Sequence, residues 1–285
     1  MIWKLRGLTI VGPKLKDPRL FMIGVLIVYT VVGQTLLAFD HHWTQIITAL
    51  LVSCTLDTLL NYRKSRQLVL PVSGVITGLG LGLLIEAVPL WPYIVAPILA
   101  IGSKSVLSVK EHHIFNPSNF GLTVLLLLAP GTVTTLAAQW SGSLLIVIII
   151  LVVGGFSSFR VSRWDLVFSF ITGFCIMAMI EELIRHNGLA LAYGPLLGAA
   201  FQLFILSMIT DPKTTPDTRR MRIIFGLTLA VCDGILRLMD NQYSPFIALL
   251  IVSACVPVCR AVSFVVKPYL VSWTAQRAAI KEVEA

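Results

Sequence analysis

The chain has 285 residues, of which 56% are hydrophobic and only 13% charged, with a mean hydropathy of +0.88. That lies far from the roughly 25% charged content of a soluble domain, and the apolar runs recur from about Leu20 almost to the C-terminus. A soluble domain is excluded, and the sequence predicts a single integral membrane domain over 1–285 whose outer face meets the lipid bilayer.

The opening stretch, MIWKLRGLTIVGPKLKDPRL, is basic and lacks an apolar core followed by a small-residue cleavage site. Residues 1–19 therefore read as a cytoplasmic lead-in rather than a cleaved signal peptide. Ten apolar segments follow, near 20–39, 43–61, 69–86, 90–108, 118–138, 143–159, 165–183, 190–209, 222–239 and 245–265. Several approach the roughly 20 residues that span a bilayer as a helix.

The third segment, PVSGVITGLGLGLL, places Gly74, Gly78 and Gly82 four residues apart on one helix face. This spacing points to close helix packing of the small-xxx-small type. The alternative is a broken or re-entrant helix whose backbone, with Ser73 and Thr77, lines a central site. A nucleotide loop does not fit, because no Lys-Ser/Thr follows the glycines.

The fifth segment opens with FNPSNFG. Asn116 suits an N-cap and Pro117 the first helical position. Ser118 and Asn119 exceed what capping needs, and polar groups at a helix start within a membrane are where transporters hold ligands. The eighth segment ends in MITDPKTTPDTRR, where Asp211 before Pro212 stops the helix and Thr214, Thr215 and Asp217 offer turn and cap chemistry. A carboxylate directly after LFILSMIT should face protein, ligand or water. These clusters predict a shared polar site formed by Ser73, Thr77, Asn116, Ser118, Asn119 and Asp211.

In the ninth segment Asp233 and Arg237 sit at i, i+4 and read as an ion pair that stabilises the span, with a proton or cation relay as the alternative. His112 and His113 read as surface residues of a turn. Cys255 and Cys259 share a helix face, which in an apolar run means small-residue packing. Neither a disulfide framework nor a metal site is expected. No Ser-His-Asp arrangement, paired catalytic carboxylates or HExxH occurs, so no catalytic residue is assigned.

With the N-terminus inside, 20 of the 22 Lys and Arg residues fall in cytoplasmic segments, and only Arg185 and Arg237 lie toward the other side. The net charge of +8 thus reads as membrane orientation with both termini cytoplasmic, and nucleic-acid binding is not invoked. Two halves of five segments, 20–138 and 143–265, would enter the membrane from opposite sides, the inverted-repeat plan of many transporters. Residues 266–285 form a cytoplasmic tail. FNPSNFGLTVLLLL and DNQYSPFIALLIVS occupy the same place in each half.

The fragments SGVITGLGLGLLI, PLWPYIVAPILAIGSKSVL, HIFNPSNFG, SMITDPKTTP and NQYSPFIALLIVSACVP, in this order, resemble the NqrB/RnfD family, membrane components of the sodium-translocating NADH:quinone reductase and of the Rnf electron-transport complex. The second fragment is similar to a Trp-containing loop followed by a Gly-x-Lys helix end, which brings in Lys104. The third is similar to a Phe-Asn-Pro-Ala motif, and the fourth to a Thr-Asp-Pro-x-Thr motif that ends on Thr214. The resemblance implies an all-α bundle of about ten transmembrane helices in two inverted five-helix repeats, a fold similar to that of urea transporters. It also implies a flavin site on the cytoplasmic side and a location in the bacterial inner membrane. Relatives with covalent FMN carry it on the Thr of Ser-Gly-Ala-Thr between the fifth and sixth spans. Here that region is AAQWSGSLL, with Ser141, Gly142 and Ser143 and no following Thr. The departure argues against covalent FMN and for a shortened, stand-alone relative.

Two functions follow. The first is membrane electron transport with FMN or riboflavin held non-covalently, alone, by self-association or beside other membrane redox subunits. The second is a stand-alone transporter or channel for a small polar or heteroaromatic solute.

Overall fold

A computed structural model describes residues 2–5, 8–15, 17–36, 42–109, 112–135, 148, 151–152, 154–156 and 162–257. In lipid a backbone must satisfy its own hydrogen bonds, so the apolar segments fold as helices. The first half holds α1 (Pro18–Leu36), α2 (Trp43–Ser65), α3 (Val72–Leu84), α4 (Pro92–Val106) and α5 (Pro117–Leu128). In the second half, α6 (Trp164–Arg185) and the short α7 (Leu189–Tyr193) precede a 3-10 turn, Gly194–Leu197. Then come α8 (Ala199–Leu203), which runs into a π-helical turn at Phe204–Met208, α9 (Arg219–Leu238) and α10 (Ser244–Pro257). The sixth predicted segment, 143–159, lies largely outside the described residues.

Among the described residues, Pro18–Thr35, Trp43–Ser65 and Trp164–Arg185 are long and apolar enough to cross a bilayer. The pair Leu189–Leu197 and Phe201–Met208 is equally apolar but bent by 60°, the form of a broken span or a re-entrant loop. The sequence reads this eighth segment as continuous. The bend falls where Pro195 has no N–H to donate and Gly198 leaves the helix with an extended backbone (φ −76°, ψ 126°). The helices α3, α4, α5 and α10 are shorter, at 10–17 residues. The chain is thus an all-α, multi-pass membrane protein.

The third segment is an unbroken helix. Its glycine face lies on α2: a Cβ at Gly74 would sit 2.9 Å from the Ser53 carbonyl oxygen, one at Gly78 2.7 Å from Leu50 Cα, and one at Gly82 3.1 Å from Ile46 Cγ2. The stripe therefore packs helix on helix, as small-xxx-small spacing predicts, and leaves Ser73 and Thr77 on other faces. In the second half α6 and α9 approach equally closely, with the position of a Gly226 Cβ 3.0 Å from the Leu166 carbonyl oxygen.

The first turns of α5 and α10 meet. Phe246 O accepts from Asn119 Nδ2 at 3.0 Å and from Thr123 Oγ1 at 3.4 Å. Around this junction Phe170, Phe174, Phe201, Phe204 and Phe246 form one aromatic cluster, with neighbouring centroids 4.9–6.4 Å apart. The lead-in is structured: β1 (Ile2–Leu5) and β2 (Leu8–Val11) form an antiparallel hairpin, and β2 pairs in parallel with β3 (Leu68–Val69), just after α2.

Candidate functional site

The site begins with the cap of α5. Asn116 (φ −61°, ψ 123°) accepts the Asn119 N–H on its side chain at 3.1 Å, and Pro117, which has no N–H, takes the first helical position. Capping uses only the oxygen of the amide. The nitrogen, Nδ2, donates to Asp211 Oδ2 at 3.2 Å, joining the start of α5 to the loop after the bent segment.

That loop is folded by Asp211 itself. Its Oδ1 accepts the Lys213 N–H at 3.0 Å, and its carbonyl oxygen accepts from Thr215 Oγ1 at 2.9 Å and Thr214 Oγ1 at 3.3 Å. This is the side-chain turn chemistry of an Asp followed by Pro. Arg163 Nη1 donates to Pro216 O at 2.7 Å and fixes the far end. Desolvation raises the Asp211 carboxyl above its ordinary 3.8, opposed by the Lys213 N–H and charge and by Asn116.

Between α5, α3, the start of α1 and this loop lies a cleft of about 170 Å³. Ser73, Thr77, Asn116, Ser118 and Asp211 all line it. Thr77 and Ser118 are 3% and 9% exposed, and neither hydroxyl makes a hydrogen bond among the described residues. Arg19 and Lys213 stand at the exposed rim. Arg19 is paired with Asp17 at 2.6 Å.

Three residues of the predicted set lie off the cleft. Asn119 is 1% exposed and turns to Phe246. Thr214 is buried inside the Asp211 turn. Lys104 forms a 2.5 Å ion pair with the buried Asp57 and donates to Ser73 Oγ at 2.9 Å, so it reaches the cleft only through Ser73. Asp57 Oδ2 also accepts the Gly74 N–H at 3.1 Å.

Sequence reasoning misses Asp57, although a lone carboxylate in an apolar run is itself the signal. It misses Ser207 and Thr210, which line the cleft from the bent segment. It also places His113 on the surface, whereas His113 lines the cleft and is half-buried, because a two-residue hairpin (Ser108–Val109 with His112–His113) folds it back toward α5. Ser141, Gly142, Ser143 and Cys259 lie outside the described residues.

Asp233 and Arg237 do pair, with Arg237 Nε 3.4 Å from Asp233 Oδ2, but the closer partner of Arg237 is Glu181 at 2.8 Å, across the α6–α9 interface. Among the described residues no group of three or more His, Cys, Asp or Glu side chains could hold a metal ion.

Apolar helices able to cross lipid, joined where two polar helix ends converge on a cleft, define a multi-pass membrane protein with a polar-lined cleft at one end of its helices. Residues 139–264 match the family model described as the NQR2, RnfD, RnfE family, the family that the sequence fragments resemble. The match takes in Asp211 and Thr214, while the cleft residues of α3 and α5 precede it. No curated protein matches the chain.

Proposed function

We propose that the protein is a membrane subunit of the electron-transport type whose cleft holds FMN or riboflavin without a covalent bond. The observation that carries this reading is that Ser73, Thr77, Asn116, Ser118 and Asp211, from two helix ends and a loop, line one cleft. Polar groups gathered on one cleft can hydrogen-bond a heterocycle's polar edge, while the apolar remainder of the lining covers its rings. When bound, a flavin supplies reversible one- and two-electron transfer. The chain's own part is to bind and orient: Ser118 and Thr77 meet the polar edge, Asn116 holds Asp211 in place, and Lys213 at the rim suits a phosphate.

The family match over 139–264 supports the electron-transport reading. The inverted five-helix halves draw support from the meeting of the first turns of α5 and α10. The distribution of Lys and Arg supports an orientation with both termini in the cytoplasm, and the family resemblance implies the bacterial inner membrane. Relatives of this kind work in complexes, so other membrane redox subunits or a second copy of the chain are the expected partners.

One observation favours the second reading, a stand-alone transporter or channel for a small polar or heteroaromatic solute. The cleft, at about 170 Å³, is smaller than the roughly 300–1,000 Å³ of complete small-molecule sites. Titration of the purified protein with riboflavin and with FMN, followed by quenching of flavin fluorescence, separates the two. The flavin reading expects saturable quenching that Ser118→Leu weakens at least about tenfold, equivalent to about 1.4 kcal/mol, with an unchanged melting temperature. Absence of saturation with either flavin removes it.

A further inference from the structure

We infer that a second cavity, at the opposite end of α9 from the Asp211 loop, is a binding site for a planar heteroaromatic solute that carries an N–H beside a C=O. This cavity of about 440 Å³ shares no lining residue with the cleft, so the inference is independent of the flavin reading. Phe201, Phe204 and Phe246 form its apolar walls, with ring centroids 6.0 and 5.5 Å apart. Asp233 and Arg237 line it, and the amide side chains Asn241 and Gln242 complete its polar part.

The two charged groups are incompletely satisfied. Asp233 is fully buried, and its Oδ1 accepts the Ser244 hydroxyl at 2.7 Å, while its Oδ2 has no hydrogen bond. Arg237 lies 4.3 Å over the Phe174 ring, its Nη1 stands 2.8 Å from the Glu181 carboxylate and donates to Ala192 O at 3.3 Å, and its Nε and Nη2 make no hydrogen bond. The 3.4 Å contact between Nε and Asp233 Oδ2 brings the charges together without the alignment a hydrogen bond needs.

A buried acceptor and a buried donor on neighbouring turns of one helix are expensive to leave unmade in a membrane protein. Their complement is a group that donates and accepts on adjacent atoms. A ring N–H meets the carboxylate oxygen, the adjoining C=O meets the guanidinium, and the flat ring lies against the phenylalanines. A divalent metal does not fit, since the guanidinium occupies the same space and no set of three ligands is at hand among the described residues.

Uracil is a small probe with this edge, and 1,3-dimethyluracil keeps the ring while replacing both N–H groups by N-methyl. Calorimetric or saturation-transfer NMR titration of the purified protein in detergent tests the site. The expected result is saturable uracil binding, with 1,3-dimethyluracil at least about tenfold weaker, because a site built to accept from an N–H rejects the analogue lacking it. Asp233→Asn should weaken uracil by a similar factor. The inference is overturned if uracil does not saturate, if the two probes bind equally, or if folded Asp233→Asn binds uracil unchanged. Should Asp233→Asn fail to fold, the ratio of the two probes on the unsubstituted protein decides.

Discussion

Replacing Lys104 by Met removes the ammonium from the buried pair that ties α2 to α4. The Asp57 side chain is 5% exposed and that of Lys104 is 16% exposed, so water cannot re-solvate the stranded carboxylate. Asp57 would keep only the Gly74 N–H at 3.1 Å. Breaking a buried pair from one side costs about 3–5 kcal/mol, because a charge is left uncompensated. At the lower figure, and about 2–4 °C per kcal/mol for a chain of this general size, Lys104→Met lowers the melting temperature by roughly 6–12 °C. The double variant Asp57→Leu/Lys104→Met buries no charge and should recover at least half of the loss. Thermal unfolding in detergent, followed by circular dichroism, reads both. The reasoning is refuted if Lys104→Met melts within about 2 °C of the parent, or if the double variant is as damaged as the single one.

At Gly78, substitution by Ala places a Cβ 2.7 Å from Leu50 Cα, backbone that cannot yield cheaply, and should destabilise by about 1–3 kcal/mol in the same assay; an unchanged melting temperature would show that α2 and α3 are not so close. The Asp211 carboxyl titrates above 3.8 in the folded protein, so the folded state holds its proton more tightly than the unfolded chain, and stability falls as pH rises from 3.8 through the folded value. Melting curves across that window should show this slope in the parent and not in Asp211→Asn, and equal slopes would count against it. For orientation, cysteines introduced singly at Ser65 and Thr218 should both react with an impermeant reagent from the cytoplasmic side only; labelling from opposite sides contradicts the arrangement of charges.

Local chemistry was legible where it depends on a few adjacent residues. Asn-Pro marks the start of α5, and Thr218 caps α9 by accepting the Met221 N–H at 3.4 Å. The surplus of polar groups at Ser118 and Asp211 pointed to a common cleft, because polar groups in lipid must find partners. The glycine period in the third segment announced close packing but not its partner, since spacing names a face and not the helix opposite. Direction was the harder quantity. Asn119 sits one residue from Ser118 yet turns about 100° around the helix, away from the cleft and toward Phe246. The Asp57–Lys104 pair joins residues 47 apart and exists only because α2 and α4 pack side by side. The bend near Gly194-Pro195 had a readable breaker signal, masked by the apolar residues on both sides.

The cleft between α3, α5 and the Asp211 loop is proposed to hold a flavin that no covalent bond retains. The visible absorption spectrum of the freshly purified protein, repeated on the filtrate after denaturation, tests this in one sample. The predicted result is an oxidised-flavin spectrum on the native protein that passes wholly into the filtrate and is diminished in Ser118→Leu. The contradicting result is a native protein without flavin absorption even after incubation with FMN and riboflavin, or a flavin that stays with the denatured chain.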